Sequence, residues 1–363
     1  MKRAFAIALG VLALTASSAT LGQNAPAGNL QIHWIDVEGG ASTLFVAPTG
    51  ESLLFDTGNP GNGDRDAKRI YAAAQKAGLR QIDHVVISHW HGDHVGGLAA
   101  LSKMIPLGKF YDHGDGVEQA DRERLEGYKS IAGNKRTILK AGDTISFGGL
   151  NMRVLVSEGP VISTPINGGG PNPLCTNAAR QEPAGAENIR MVGLSLTYGD
   201  FKFASLGDLD WSREMELACP VNKLGTVNLY TINRHGGLDN SGAPALLGAI
   251  KPQVIVVNNG PRKGLGARDD RMRTINTPGA APYEPNSYLR MKGTPGVEDV
   301  WQGHLSMIDS NPAHNTPRNM IANLEDNTVD HPGNAIDATV TRDGKFTITN
   351  ARTGFSKTYT VRK

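Results

Sequence analysis

Cysteine is nearly absent from this chain: 363 residues contain two, Cys175 and Cys219. They form no Cys-x-x-Cys pair and neither stands where a catalytic nucleophile would, so thiol chemistry is a poor reading. After the first residues there is no apolar run approaching the roughly 20 residues needed to cross a bilayer. An excess of charge is missing too, with 37 Lys plus Arg against 35 Asp plus Glu. Without Lys2 and Arg3 the balance is 35 against 35, so global charge gives no support to a nucleic-acid partner. No segment repeats at a fixed period, and the 44 glycines and 20 prolines lack the spacing of collagen. What remains, at 39% hydrophobic and 20% charged, is the composition of a loop-rich globular enzyme, long enough for one large domain or two.

The N-terminus has its own character. Lys2 and Arg3 precede an apolar run over 4–14, followed by small residues over 15–20. That is the order of a secretory signal peptide, and the run is short for a membrane span, although a retained anchor is the alternative. Residues 1–22 are therefore expected to be a signal segment, and the mature protein to be secreted or periplasmic without stable membrane association. In an oxidising compartment an even cysteine count suggests one disulfide, tying down the irregular stretch 159–186; two free structural thiols are the other reading.

Three of the 10 histidines fall in one hexapeptide, His89-Trp90-His91-Gly92-Asp93-His94. Imidazole nitrogens and a carboxylate are the ligands that a borderline-soft divalent ion takes. The preceding His84-Val85-Val86-Ile87-Ser88 is β-branched and apolar, a buried strand; the following Val95-Gly96-Gly97-Leu98 opens a helix. The donors thus sit on a strand-to-helix turn, where several side chains can converge on one point.

This hexapeptide after a buried strand resembles the signature of the metallo-β-lactamase superfamily. Ser52-Leu53-Leu54-Phe55-Asp56-Thr57-Gly58 is similar to the strand and turn that support the metal loop. Phe201-Lys202-Phe203-Ala204-Ser205-Leu206-Gly207-Asp208 resembles the strand whose aspartate bridges two metals, and Leu229-Tyr230-Thr231-Ile232-Asn233-Arg234-His235-Gly236 the strand that delivers the last histidine. Within the superfamily, Ile35-Asp36-Val37-Glu38-Gly39-Gly40 and Arg234-His235-Gly236 look most like the ComEC-type branch, which includes the hydrolase domain of DNA-uptake proteins and secreted hydrolases.

The resemblance implies an α/β fold: a metallo-β-lactamase αββα sandwich with a short C-terminal β appendage. The expected domain spans 29–320, with 321–363 as a β-hairpin tail packed on it. Paired strands are expected at 31–37 and 43–55, a helix at 64–77, and hairpins at 144–157 and 337–349. The resemblance also implies a metal-dependent hydrolase holding two divalent ions, zinc first and manganese as an alternative. His89 and His91 would bind the first, Asp93, His94 and His235 the second, and Asp208 would bridge them. Paired ions activate a shared water, and zinc lowers that water's pKa to about 7, supplying a metal-bound hydroxide at neutral pH. Asp56 would orient the metal loop from behind the ligands.

Departures from the family pattern leave two questions. No histidine precedes the Gly-Asp strand, where Glu187-Asn188-Ile189-Arg190 stands, so His113 is a candidate for the missing ligand or an ordinary strand-end histidine. Arg234 replaces a histidine common in the branch and either meets an anionic substrate or pairs with a carboxylate. Beyond the buried strand 254–257, Asn259, Arg262 and Lys263, followed by Arg268, Arg271 and Arg273, suit a phosphate group; a solvated basic loop is the plainer account. His304 is either a proton donor to a leaving group or a buried structural histidine. A phosphodiester-type, small-molecule or nucleotide-like substrate is expected, with a carbon ester, lactone or β-lactam as the alternative and a non-catalytic metal-binding protein as a weaker one.

Overall fold

The computed structural model describes residues 28–362, apart from 184, 239, 269–273, 276–278, 310, 327–330 and 332. The expected signal segment at 1–22, and Arg271 and Arg273, lie outside the described residues.

Alternation and its absence explain the layers. Leu30–Trp34 alternates buried and half-buried side chains, whereas Thr43–Val46, Ser52–Phe55 and Val254–Val257 are buried at every position. A strand buried on both faces must be covered on both, here by the opposite sheet and by helices. Among the described residues, nine strands form one sheet and eight form another. Between them lies a core that includes Trp34, Phe45 and Phe203, with ring centroids 6.2 Å apart for Trp34–Phe203 and 5.3 Å for Phe45–Phe203. The helices Arg65–Lys76, Leu98–Leu101 and Gln119–Ala132 cover the outer face of the first sheet through Ile70, Leu98 and Leu125. Trp211–Ala218, Pro244–Ile250 and Ser287–Gly293 cover the second through Trp211, Leu246 and Tyr288. The architecture is the expected αββα sandwich.

In the first sheet, Ser52–Phe55, Ile82–Val86, Leu107–Asp112 and Arg136–Ile138 run parallel. In the second, the parallel set is Phe201–Ser205, Leu229–Thr231, Val254–Val257, Asp299–His304 and Ile321–Asn323. Parallel strands end together, so the loops at their carboxyl ends collect along one rim. The Trp34 indole donates across the sandwich to Thr231 Oγ1 at 2.9 Å, tying the two sheets together beside that rim.

The C-terminal hairpin forms as expected, Ile336–Val340 with Lys345–Asn350, and Ser356–Thr360 adds a third strand. The expectation of a tail beginning at 321 needs correction. Ile321–Asn323 is a strand of the second sheet, while the last three strands extend the first sheet from Leu30–Trp34. They cover what would otherwise be an open edge of unpaired backbone groups. The stretch 159–186 is strapped down: Cys175 and Cys219 form a disulfide, and the Asn172 amide donates to Ala218 O and Ala245 O, both at 3.0 Å. Arg180–Gln181 pairs with Thr274–Ile275. No helix among the described residues is long and apolar enough to cross a membrane.

Phe203→Ala should cost about 3–5 kcal/mol in denaturant unfolding, because a fully buried ring between two sheets leaves a cavity. Replacing both cysteines by serine frees a loop closed over a separation of 44 residues. Loop-closure entropy puts the loss at about 4 kcal/mol, measured as the difference in unfolding free energy.

Candidate metal centre

The hexapeptide leaves the end of Ile82–Val86 and enters the short helix Gly92–Val95. Trp90 anchors it from the middle. Its backbone N–H donates to Glu187 Oε1 at 2.9 Å, its indole donates to Gly114 O at 3.1 Å, and its carbonyl accepts from Arg124 at 3.1 Å. With that ring packed against Tyr128 and His113, the two flanking histidines turn the other way. Asp56, fully buried, takes the next position behind the loop. Its Oδ1 accepts from Ser88 N at 2.7 Å, and its Oδ2 accepts from Ser88 Oγ at 2.7 Å and His94 Nδ1 at 2.8 Å. Holding Nδ1 in this way presents Nε2 of His94 to the rim.

The second sheet supplies the opposite wall. Asp208 follows Gly207, whose φ of 49° suits glycine and at which a Cβ would meet the Met191 methyl at 2.6 Å. His235 sits in a turn where Arg234 (φ 48°) and His235 (φ 55°) are both left-handed. Its backbone is approached so closely by Gly264 that a Cβ there would lie 2.2 Å from His235 O.

Asp93, His94, Asp208 and His235 converge, with candidate donor atoms within 4.8 Å of one another. His94 Nε2 is 3.4 Å from Asp93 Oδ2 and 3.4 Å from Asp208 Oδ1; His235 Nε2 is 3.4 Å and 3.3 Å from the same atoms. Nε2 of both histidines is buried and makes no hydrogen bond among the described residues. Ligand bonds of about 2.0–2.1 Å at tetrahedral angles place donors about 3.3–3.4 Å apart, so this donor set fits a divalent ion. The electrostatics agree. Burial pushes the Asp93 and Asp208 carboxyls up, but the neighbouring imidazoles outweigh it and hold both well below the usual carboxylate range. Burial likewise lowers His94, yet Asp208, Asp93 and Asp56 raise it well above its ordinary value, so the field at the centre favours a cation.

His89 and His91 stand beside this group, with ring centroids 4.0 Å from His89 to His94 and 4.6 Å from His89 to His91. Burial lowers both well-placed imidazoles, which keeps them neutral, and His89 Nε2 is buried without a hydrogen bond among the described residues. Asn188 faces the cleft where a third histidine was missing, its amide 3.5 Å from Asp208 O. The cleft measures about 590 Å³ and is lined by His91, Asp93, Asn188, Asp208, Arg234, His235, Asn240, Lys263 and Arg268, with three glycine or alanine positions between them. Lys263 Nζ lies 2.5 Å from Asp93 Oδ2.

Four expected groups do not reach the cleft. His113 is buried behind the loop, its Nε2 on Glu187 Oε1 at 2.9 Å beneath Trp90. His304 turns inward to Asp36 Oδ1 at 2.6 Å, and that aspartate also accepts from Arg69 at 2.9 Å. Asn259 is buried and its amide donates to His304 O at 2.8 Å and Gly260 O at 3.0 Å. Arg262 is exposed and pairs with Asp326. In each case a nearer carboxylate or carbonyl captures the side chain. Glu187 and Asn240, by contrast, were not expected as site groups: Glu187 holds Trp90 and His113 from behind the loop and Asn240 reaches the cleft wall, each through tertiary neighbours alone.

Asp56→Asn should weaken divalent-ion binding about 10–100-fold in a chelator competition, since the amide no longer fixes His94 as a carboxylate does. Asp36→Asn should cost about 3–5 kcal/mol at neutral pH by leaving Arg69 without its buried partner. Burial raises the Asp36 carboxyl, but His304 and Arg69 outweigh this and the folded value lies below the ordinary 3.8. The stabilisation is thus present above that ordinary value and fades as pH falls through the lower folded one; urea unfolding at stepped pH reads the narrowing gap.

Residues 36–165 match the family model described as the metallo-beta-lactamase superfamily. Recombination protein 2 of Haemophilus influenzae is 24% identical over 231 residues, covering 63% of this chain and 24% of that protein. An atrochrysone carboxyl ACP thioesterase of Emericella nidulans is 34% identical over 82 residues, 22% of this chain and 26% of that one. The chain thus spans about a quarter of the length of these curated relatives. Among solved structures, the metallo-beta-lactamase fold protein YhfI from Bacillus subtilis aligns at 13% identity and a TM-score of 0.40, over 64% of this chain and 87% of that one. The family match runs through the metal loop inside the αββα sandwich, so residues 36–165 carry a metallo-beta-lactamase superfamily domain.

Proposed function

We propose that this chain is an exported, metal-dependent hydrolase of small anionic esters, phosphodiesters first. The observation that carries the reading is the four-donor cluster, with its 3.3–3.4 Å spacings, at the floor of a cleft that also presents Arg234, Lys263 and Arg268. Asp93, His94, Asp208 and His235 would hold one divalent ion, and His89 and His91, with Asp208 shared, a second. Zinc suits the imidazole-rich donors, and manganese suits the poorer set on the His89 side. Such ions supply a nucleophile from water at neutral pH and offset charge on the ester oxygens.

The chain's own groups do the rest. Arg234, Lys263 and Arg268 attract the anion, and guanidinium groups can hold two oxygens of a phosphate at once. Asn188 and Asn240 add amide groups at the wall. Asp56 keeps His94 in one tautomer by accepting from its Nδ1. A cleft of about 590 Å³ is the size of a drug-like or nucleotide-like molecule, and near-neutral overall charge gives little support to a long nucleic acid. Export is supported by the signal-like sequence at 1–22 and by the disulfide. A carbon-ester or thioester substrate is the second reading, favoured by the 34% match to a protein named as a thioesterase.

Mature protein loaded with zinc or manganese should hydrolyse bis(p-nitrophenyl) phosphate. Chelator or His91→Ala should abolish the turnover, and Lys263→Ala should raise KM about tenfold, one lost charge-assisted contact being worth about 1.5–3 kcal/mol. Metal bound with no phosphodiester turnover, and hydrolysis of a thioester or lactone instead, would establish the second reading.

A further inference from the structure

Glu214 is the least expected side chain in the second half of the sandwich. It lies on the helix Trp211–Ala218, on a face shared with Trp211, Met215, Leu217 and Ala218, and it is 0% exposed. Burying a carboxylate among such neighbours is unfavourable unless donors surround it. Here they do. Glu214 Oε1 accepts from Asn233 Nδ2 at 2.7 Å and Gly242 N at 2.9 Å, and Oε2 accepts from Ala243 N at 2.6 Å. Burial still pushes its carboxyl up to about 7.

These partners are the two ends of the segment that carries Arg234, His235 and Asn240. Asn233 immediately precedes the left-handed pair at φ 48° and 55°, and Tyr230 fixes its amide by donating to Oδ1 at 2.8 Å. Two consecutive left-handed non-glycine residues are strained, and such a turn persists only if its surroundings over-determine it. The helix that bears Glu214 is capped by Asp210, two residues after Asp208. One carboxylate therefore joins the Asp208 segment to the His235 segment. Arg290 completes the clamp from the far side, donating to Gly242 O at 3.0 Å, Ser241 O at 2.9 Å and Leu238 O at 2.9 Å.

We propose that Glu214, acting through Asn233, is a positioning residue that sets the separation of Asp208 and His235 and so the geometry of the candidate metal site. The proposal rests on the reading of that cluster as a metal site. Neither Glu214 nor Asn233 lines the cleft, so any effect of changing them on the ion must pass through the turn.

The test uses cobalt(II) as the probe, with full mature protein, comparing wild type, Glu214→Gln, Asn233→Ala and the exposed control Glu216→Gln. Titration reads affinity, and the visible cobalt bands read coordination geometry. Glu214→Gln sets an amide N–H₂ against at least one backbone N–H; Asn233→Ala removes the link to the turn but leaves the bonds to Gly242 and Ala243. Both should bind cobalt about 10–100-fold more weakly and shift or weaken its bands in samples that keep wild-type circular dichroism. The Glu216 control should match wild type. If Glu214→Gln does not fold, Asn233→Ala decides alone. Variants that melt earlier yet show the wild-type affinity and bands would overturn the proposal, leaving a purely structural role. Wild type failing to bind cobalt at all would overturn the metal reading and this proposal together.

Discussion

His94 and His235 belong to different sheets, and the ring of four donors closes only because those sheets pack face to face in one relative position. A slip by even a fraction of a strand rise, about 3.3 Å per residue, would open the 3.3–3.4 Å spacings on which the site depends. The core that sets this position is close-packed around Phe203, with Trp34 and Phe45 against it, and the Trp34–Thr231 hydrogen bond locks the sheets beside the rim. Interiors packed at crystal-like density do not deform continuously, so the site inherits the rigidity of the sandwich.

Each half then presents its candidate donors through a turn that ordinary backbone would avoid. Asp56 at φ 66°, Arg234 at 48° and His235 at 55° are left-handed without being glycine. Their strain is balanced by buried carboxylates in both halves. Asp56 binds the Ser88 backbone and the His94 ring, Glu187 binds Trp90 and His113, and Glu214 binds Asn233, Gly242 and Ala243. Glycines finish the arrangement where two backbones touch. A Cβ at Gly40 would lie 2.5 Å from Asp93 O, and one at Gly264 would lie 2.2 Å from His235 O.

Much of this was legible in the residues. The hexapeptide at 89–94 offered candidate metal donors because such residue types rarely cluster without an ion, and the buried strand before it placed them at a rim. The C-terminal hairpin was legible from its alternation and its Asp343-Gly344 turn, but not its destination, since pairing with Leu30–Trp34 is a contact across the whole chain. The basic stretch after 258 misled for a different reason. Sequence shows where cations are available, whereas their nearest anions are set by folding: Arg262 went to Asp326 at the surface, while Lys263, one residue on, turned to Asp93 in the cleft.

The sequence by itself pointed to the superfamily domain, the candidate metal donors of the loop, the strand and helix pattern and the carboxylate at Asp56, because these rest on local spacing and residue type. Tertiary structure alone decided which polar groups face the cleft. It drew His113 beneath Trp90 onto Glu187 and His304 onto Asp36, since buried imidazoles must find partners and carboxylates lay nearer than the rim. It also brought Asn188 and Asn240 to the cleft wall, and it chose Lys263, among the cations the sequence offered, to meet Asp93. A hydrogen-bond partner hundreds of residues away leaves no mark in local pattern, and that is why this part of the site was hidden until the chain was folded.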